Sequence, residues 1–163
     1  MEQEKEKNEE TFVKKVVQTA LEAERQIRRQ QVLHNTRMLM EEYIEMKRHI
    51  ESAVSEEEEL KEEQYDVFRG EGAHLGSVRR SKMKTAMMIA NIDRAMEELR
   101  AEYETKEMTY KYDAFKMHYI DGVSYEEIAD IQNCGKNTPS RWSKELIRKM
   151  SVKLFGIDGV EKY

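Results

Sequence analysis

Apolar residues recur at three- and four-residue intervals along most of this chain, and almost no stretch alternates apolar and polar residues as a half-buried strand does. That periodicity predicts an all-α fold. Residues 1–10 are polar and are expected to form a disordered tail. A first helix is then expected from Thr11 to about Val32. Its apolar face comprises Phe12, Val16, Ala20, Ala23 and Ile27.

A second helix is expected to follow, because Asn35 or Thr36 is suited to cap a helix N-terminus. Its apolar face comprises Leu39, Tyr43, Met46, Ile50, Ala53 and Val54. These two helices make residues 11–69 an acidic N-terminal helical region. The glycines at positions 70, 72 and 76 predict a linker over residues 70–76.

A central helix is predicted over residues 77–107. Its apolar positions keep the same steady spacing; they are Ala86, Ile89, Ile92, Ala95, Met96, Leu99 and Tyr103. Methionines at 83, 87, 88 and 96 are typical of adaptable core or interface packing.

Residues 108–157 are predicted to form three short helices with tight turns, the arrangement of a helix-turn-helix domain. The first has Met108, Tyr112, Phe115 and Tyr119 on one face and ends at Asp121-Gly122. The second begins with a capping box between Ser124 and Glu127. Its buried side is expected to comprise Tyr125, Ile128 and Ala129. In the next turn, Asn133-Cys134-Gly135, Cys134 is expected to be buried.

The third helix is predicted from Thr138 to Leu154, with Thr138 as N-cap and Pro139 as its first helical residue. The proline excludes an earlier start at Gly135, because deeper in a helix it would remove a hydrogen bond. The apolar face comprises Trp142, Leu146, Ile147, Met150 and Leu154. Arg141, Lys144 and Arg148 form a basic stripe pointing away from that face.

This layout suits reading of the DNA major groove by the third helix. Residues on its first exposed turns are predicted to lie at or beside base edges; they are Asn137, Ser140, Arg141 and Lys144. Others are predicted to contact phosphates; they are Lys136, Thr138, Arg148 and Lys149. The alternative is a plain three-helix bundle whose outer face is basic.

The net charge of −5 argues at first against a nucleic-acid partner, but its distribution does not. Residues 1–70 carry 12 basic and 18 acidic side chains, whereas residues 132–154 carry 6 basic and 1 acidic. Because the local field decides which face meets phosphate, the C-terminal stretch remains a DNA-binding candidate.

The remaining composition argues against several other classes of protein. No run of about 18 apolar residues predicts a membrane span. The start of the chain lacks signal-peptide features, and the single Cys134 suits a reducing cytoplasm. The four histidines are dispersed, and no phosphate loop or nucleophile motif occurs. We therefore expect a cytoplasmic protein that is not an enzyme and holds no cofactor or metal.

Two segments of the domain, Tyr125–Asp130 and Thr138–Trp142, resemble the helix-turn-helix of region 4 in bacterial sigma factors. Over residues 35–158 the chain resembles the ArpU family of phage and prophage transcriptional regulators. That wider likeness is carried by Asn35–Leu39, Tyr43, Lys47–Ile50, Ser81–Thr85, Met88, Asn91–Asp93 and Leu154–Gly156. The resemblance implies a phage-encoded activator of late genes for packaging, structure and lysis. It also implies sigma-like promoter recognition with contacts to the RNA polymerase of the bacterial host.

Two other functions are also compatible with the sequence. A small terminase subunit also combines a helix-turn-helix with oligomerising helices, although it usually places the DNA-binding domain near its N-terminus. A pure adaptor would use the acidic helices to bind RNA polymerase. Whichever function holds, pairing of the apolar faces at 12–27 and 39–54 between subunits predicts a homodimer, since isolated helices of this length are marginally stable.

Overall fold

A computed structural model describes the backbone of residues 2–52 and 72–156, and the side chains of residues 11–52 and 80–156. Every regular element within those ranges is a helix, which confirms the all-α prediction. The helices are α1 (Glu2–Glu41), α2 (residues 43–52 as far as described), α3 (Gly72–Thr105), α4 (Thr109–Tyr119), α5 (Tyr125–Ile131) and α6 (Thr138–Phe155).

Helix α1 runs without interruption through the positions where the sequence predicted a new helix to begin. Thr36 does not cap a helix N-terminus. It is fully buried, and its hydroxyl donates to the carbonyl of Val32 at 2.8 Å, one turn back in the same helix. Burial of this face therefore overrides the local capping preference. The chain bends instead at Glu42, where the backbone hydrogen bonds to Met38 and from Met46 persist at 2.9 Å.

Both ends of the expected N-terminal region also differ from the prediction. Residues 2–10 form the first turns of α1 rather than a disordered tail. Glutamate, lysine and glutamine are good helix formers, and extending an existing helix costs less than starting one. Gly72 is the first residue of α3 and Gly76 lies in its second turn, so these two positions of the expected linker are helical, whereas Gly70 lies outside the described residues. Ala53 and Val54 lie outside the described residues.

One apolar core joins the N-terminal helices to the C-terminal ones. The predicted face of α3 is confirmed, with Ile89, Ile92, Ala95, Leu99 and Tyr103 all buried. Met40 and Tyr43 enter the same core, and Leu39, Met46 and Ile50 pack against it. The face predicted for residues 39–54 is therefore used within the chain, as far as it is described.

The methionines of α3 divide into two groups. Met88 and Met96 pack against the core, whereas Met83 and Met87 are exposed. Within the described residues, no helix combines the length and apolar character that crossing a membrane requires.

Candidate nucleic-acid interface

The turn between α4 and α5 follows from two local features. Gly122 has φ of +71°, a conformation that glycine adopts at little cost. Ser124 then caps α5: its hydroxyl accepts from the backbone N–H of Glu127 at 3.2 Å, and its own N–H donates to the Glu127 carboxylate at 3.1 Å. The Ser124 hydroxyl also donates to the Glu127 carboxylate at 2.7 Å. This bond, and then the one from the Ser124 N–H, hold the pKa of Glu127 below its usual value. The predicted capping box is confirmed.

The turn between α5 and α6 brings the two helices close together. Asn133 has φ of +48°, which asparagine tolerates better than most residues. The N–H of Cys134 donates to the carbonyl of Ala129 at 2.9 Å and closes the end of α5. Ile128 and Ala129 are buried as predicted. Cys134 is only half-buried, so the prediction that it would be buried is wrong.

Helix α6 begins at Thr138, as predicted, but Asn137 and not Thr138 is the N-cap residue. The Asn137 side chain makes no capping hydrogen bond, so the start of the helix depends on other features. Pro139 is buried in the first turn, where the backbone N–H groups have no partner within the helix. A proline therefore costs nothing there and supplies a helical φ.

The buried face of α6 contains smaller side chains than its sequence pattern indicated. Leu146, Ile147 and Met150 are buried as predicted, but so are the small residues Ser143 and Ser151. Trp142 and Leu154 are half-buried. The Trp142 ring meets Tyr110 of α4 edge-on, with the ring centroids 5.1 Å apart. Small side chains between large ones allow neighbouring helices to approach α6 closely.

The first helix of the domain differs from the prediction at its start. Tyr112, Phe115 and Tyr119 are buried as expected, and Ala114 joins them. Met108 precedes the helix and is exposed. Tyr125 is half-buried, with its ring stacked on His118 at a centroid distance of 3.8 Å.

The opposite face of α6 carries the predicted basic stripe. Arg141, Lys144 and Arg148 are all exposed, as is Asn137 just before the helix. Thr138 and Ser140 are half-buried at its first turn. Lys136 is exposed and pairs with Glu126 of α5 at 2.6 Å. Seven of the eight predicted DNA contacts thus lie at or beside the start and outer face of α6.

Lys149 is the exception, because it lies on the side of α6 that faces α3. Its ammonium group pairs with the carboxylate of Glu102 and lies 5.6 Å from the centroid of the Tyr103 ring. Lys106 and Lys149 both donate to Glu102 and hold its pKa below the usual value. Lys153 turns the same way and pairs with Glu98 at 2.8 Å. We therefore remove Lys149 from the predicted phosphate contacts and assign it to the packing of α6 on α3.

Glu145, the one acidic residue of the basic stretch, bonds to residues of α3 and α4. Its carboxylate accepts from the Tyr103 hydroxyl at 2.7 Å and from the Lys111 ammonium group at 2.8 Å. Burial alone would raise the pKa of Glu145, but these hydrogen bonds outweigh it and lower the pKa. The negative charge is therefore matched on the α3–α4 side of the helix.

The structure adds one residue that the sequence did not indicate. The C-terminal half of α1 packs alongside α6 and forms a cleft of about 240 Å³ with it. Arg37 and Glu41 of α1 line this cleft together with Ser140 and Lys144 of α6. Arg37 follows the buried Thr36 in the sequence. No local sequence pattern, however, identifies α6 as a helix against which α1 packs.

No protein-family model, curated protein or solved structure matches this chain. Among the residues whose side chains are described, no three histidine, cysteine or acidic side chains are grouped as metal ligands would be. His118 bonds to the carbonyl oxygen of Val123 at 3.0 Å.

Proposed function

We propose that this protein is a sequence-specific DNA-binding regulator of transcription that places α6 in the major groove. The outer face of α6 carries this proposal. Three basic side chains point outward from that face, while Glu145 and Lys149 are turned toward α3 and α4. An acidic chain thereby presents a locally positive face, which a phosphate-lined groove requires.

The residues divide by their distance from the start of α6. Asn137, Ser140, Arg141 and Lys144 are assigned to base edges or their immediate surroundings, because the first turns of a recognition helix enter the groove. Lys136, Thr138 and Arg148 are assigned to phosphates on either side. Arg37 is added to the phosphate contacts, since it lines the same cleft as Ser140 and Lys144.

The resemblance to the ArpU family supports a more specific version of this proposal. In that version the protein is a phage- or prophage-encoded activator of late genes. The domain α4–α6 recognises promoter DNA in the manner of sigma-factor region 4 and contacts RNA polymerase of the host. The short capped α5 and the tight turn that follows it are the features that support this comparison.

Capture of genomic DNA fragments by the full-length protein, followed by sequencing, tests the proposal. A single peak at a phage late promoter is the expected result. A peak at a packaging site instead indicates a small terminase subunit. The absence of any retained DNA at low salt indicates an adaptor and contradicts the proposal.

Binding to the captured site is then measured for substitutions on and off the stripe. Arg141→Ala and Lys144→Ala are each expected to weaken binding by about 1–3 kcal/mol if they contact bases. Arg100→Ala is the matched control, because Arg100 is an exposed basic residue on α3, paired with Glu104. Equal binding by all three variants would refute the assignment of α6 to the groove.

A further inference from the structure

The N-terminal part of α1 extends away from the core. No side chain between residues 11 and 31 is buried, whereas Val32 and Thr36 are. The exposed part nevertheless carries large apolar side chains. Phe12 is 69% exposed, Val16 51% and Ile27 58%. Within the described residues this predicted apolar face has no cover, unlike the face at 39–50.

Five of the uncovered apolar residues follow a heptad spacing. Val13, Val16, Ala20, Ala23 and Ile27 are separated by three, four, three and four residues. This alternation, which repeats every seven residues, keeps one narrow seam of a helix facing a partner helix in a coiled coil. The next two positions of the same pattern are Gln30 and His34. The seam therefore ends just before α1 joins the core.

We infer that α1 pairs with α1 of a second copy of this chain in a parallel two-stranded coiled coil over residues 12–27. The first argument is the identity of the seam residues. Val13, Ala20 and Ile27 take the a positions and Val16 and Ala23 the d positions, so an apolar side chain fills every position of the seam. Ala20 and Ala23 at its centre allow the two helices to approach closely.

The second argument is the complementarity of the flanking positions in parallel register. Phe12 then packs against Val17 of the partner subunit, which extends the apolar seam. Thr19 meets Glu24 of the partner subunit, so no like charges face each other. In an antiparallel pair with Ala20 opposite Ala23, Val17 would instead face a glutamate. A second copy therefore packs against this apolar face better in the parallel orientation than in the antiparallel one.

A parallel pair has a consequence for the C-terminal domains. Both copies of α6 lie at the same end of the coiled coil, as two half-sites on one DNA duplex require. This consequence rests on the proposed function, but the pairing itself does not. Its test needs no DNA, so failure of the dimer and failure of DNA binding are distinguishable.

Sedimentation of the full-length protein over a range of concentrations tests the pairing. A reversible monomer–dimer equilibrium is expected, with a dissociation constant on the order of micromolar for so short a seam. Val16→Glu is expected to give a monomer throughout the range. The control Gln18→Glu makes the same charge change on the opposite face of α1 and is expected to leave the dimer intact.

Three results would overturn the inference: a monomer at all concentrations, a larger assembly, or equal effects of the two substitutions. Because residues 11–31 lie outside the core, neither substitution is expected to alter thermal unfolding of the remaining helices. Circular dichroism of the two variants checks that point and separates loss of pairing from loss of folding.

Cysteine cross-linking tests the orientation in a Cys134→Ser background. Val13→Cys is expected to form a disulfide with itself under mild oxidation, because the two a positions face each other in a parallel pair. In antiparallel pairs position 13 lies far from its own copy. Cross-linking only in mixtures of Val13→Cys with Gln30→Cys or Ala23→Cys would refute the parallel arrangement.

Discussion

The Tyr103 hydroxyl donates a hydrogen bond to the Glu145 carboxylate at 2.7 Å across 42 residues of sequence. This bond joins α3 to α6. Together with the bond from Lys111 of α4, it gives the one acidic side chain of the basic stretch partners on the neighbouring helices. The central helix thus contributes to balancing the negative charge that lies beside the basic stripe of α6.

Tyr103→Phe is expected to lower the free energy of unfolding by about 1 kcal/mol, because Glu145 loses a hydrogen-bond donor but keeps Lys111. Urea denaturation measures the change. Tyr110→Phe, on an exposed ring of α4, is the control and is expected to have a smaller effect. An unchanged unfolding midpoint for Tyr103→Phe would show that the bond does not stabilise the fold.

Stability is expected to fall in acid through Glu102. Its pKa in the folded protein is lowered, first by the hydrogen bond from Lys106 and then by that from Lys149. The ionised carboxylate therefore stabilises the fold above its ordinary pKa of about 4.5, and this contribution disappears as the pH falls through the lowered value. Glu102→Gln is expected to flatten the dependence of stability on pH in this range.

Urea denaturation at a series of pH values checks this expectation. Glu97→Gln on the same helix, where Glu97 is exposed, provides the comparison. If both variants lose stability in acid as steeply as the original protein, the pairing of Glu102 with the two lysines does not contribute.

Arg148 and Lys149 are neighbours with opposite expected roles. Arg148→Ala is expected to weaken DNA binding and to reduce the slope of log affinity against log salt by about 1, as loss of a phosphate contact does. Lys149→Ala is expected to leave that slope unchanged and to lower the free energy of unfolding by roughly 0.5–1 kcal/mol, because its partly exposed ion pair with Glu102 is partly screened.

Salt-dependent binding and urea denaturation of both variants measure the two effects. Each of the two variants serves as the control for the other, because Arg148 and Lys149 are adjacent in the sequence and carry the same charge. A loss of salt slope in Lys149→Ala would place the DNA on the α3 side of α6.

Arg37→Ala is expected to weaken DNA binding uniformly across sequences and to reduce the salt slope by about 1. The reason is that Arg37 lines the cleft beside Ser140 and Lys144 without lying on the recognition helix. Arg48→Ala in α2 is the control, because Arg48 is exposed and pairs with Glu45. Equal salt slopes for the two variants would remove α1 from the DNA interface.

The residues of α4, α5 and α6 determine much of their own structure through local signals. A glycine with positive φ at position 122, a capping box at Ser124 and a proline in the first turn of α6 each act within a few residues. Such interactions hold wherever the segment is placed in a fold. The turns and the start of α6 were therefore predictable from the sequence.

The tertiary structure decided which residues share a surface. Thr36 has the side chain of a helix cap, yet it is buried within α1, near the C-terminal end of that helix. Lys149 and Arg148 carry the same charge, but successive residues of a helix point about 100° apart. Lys149 therefore projects from the side of α6 that packs against α3, where it pairs with Glu102. Arg37 reaches the α6 cleft only because α1 packs there. Periodicity defines which face of a helix is apolar, whereas the choice of neighbour depends on long-range packing that no local pattern specifies.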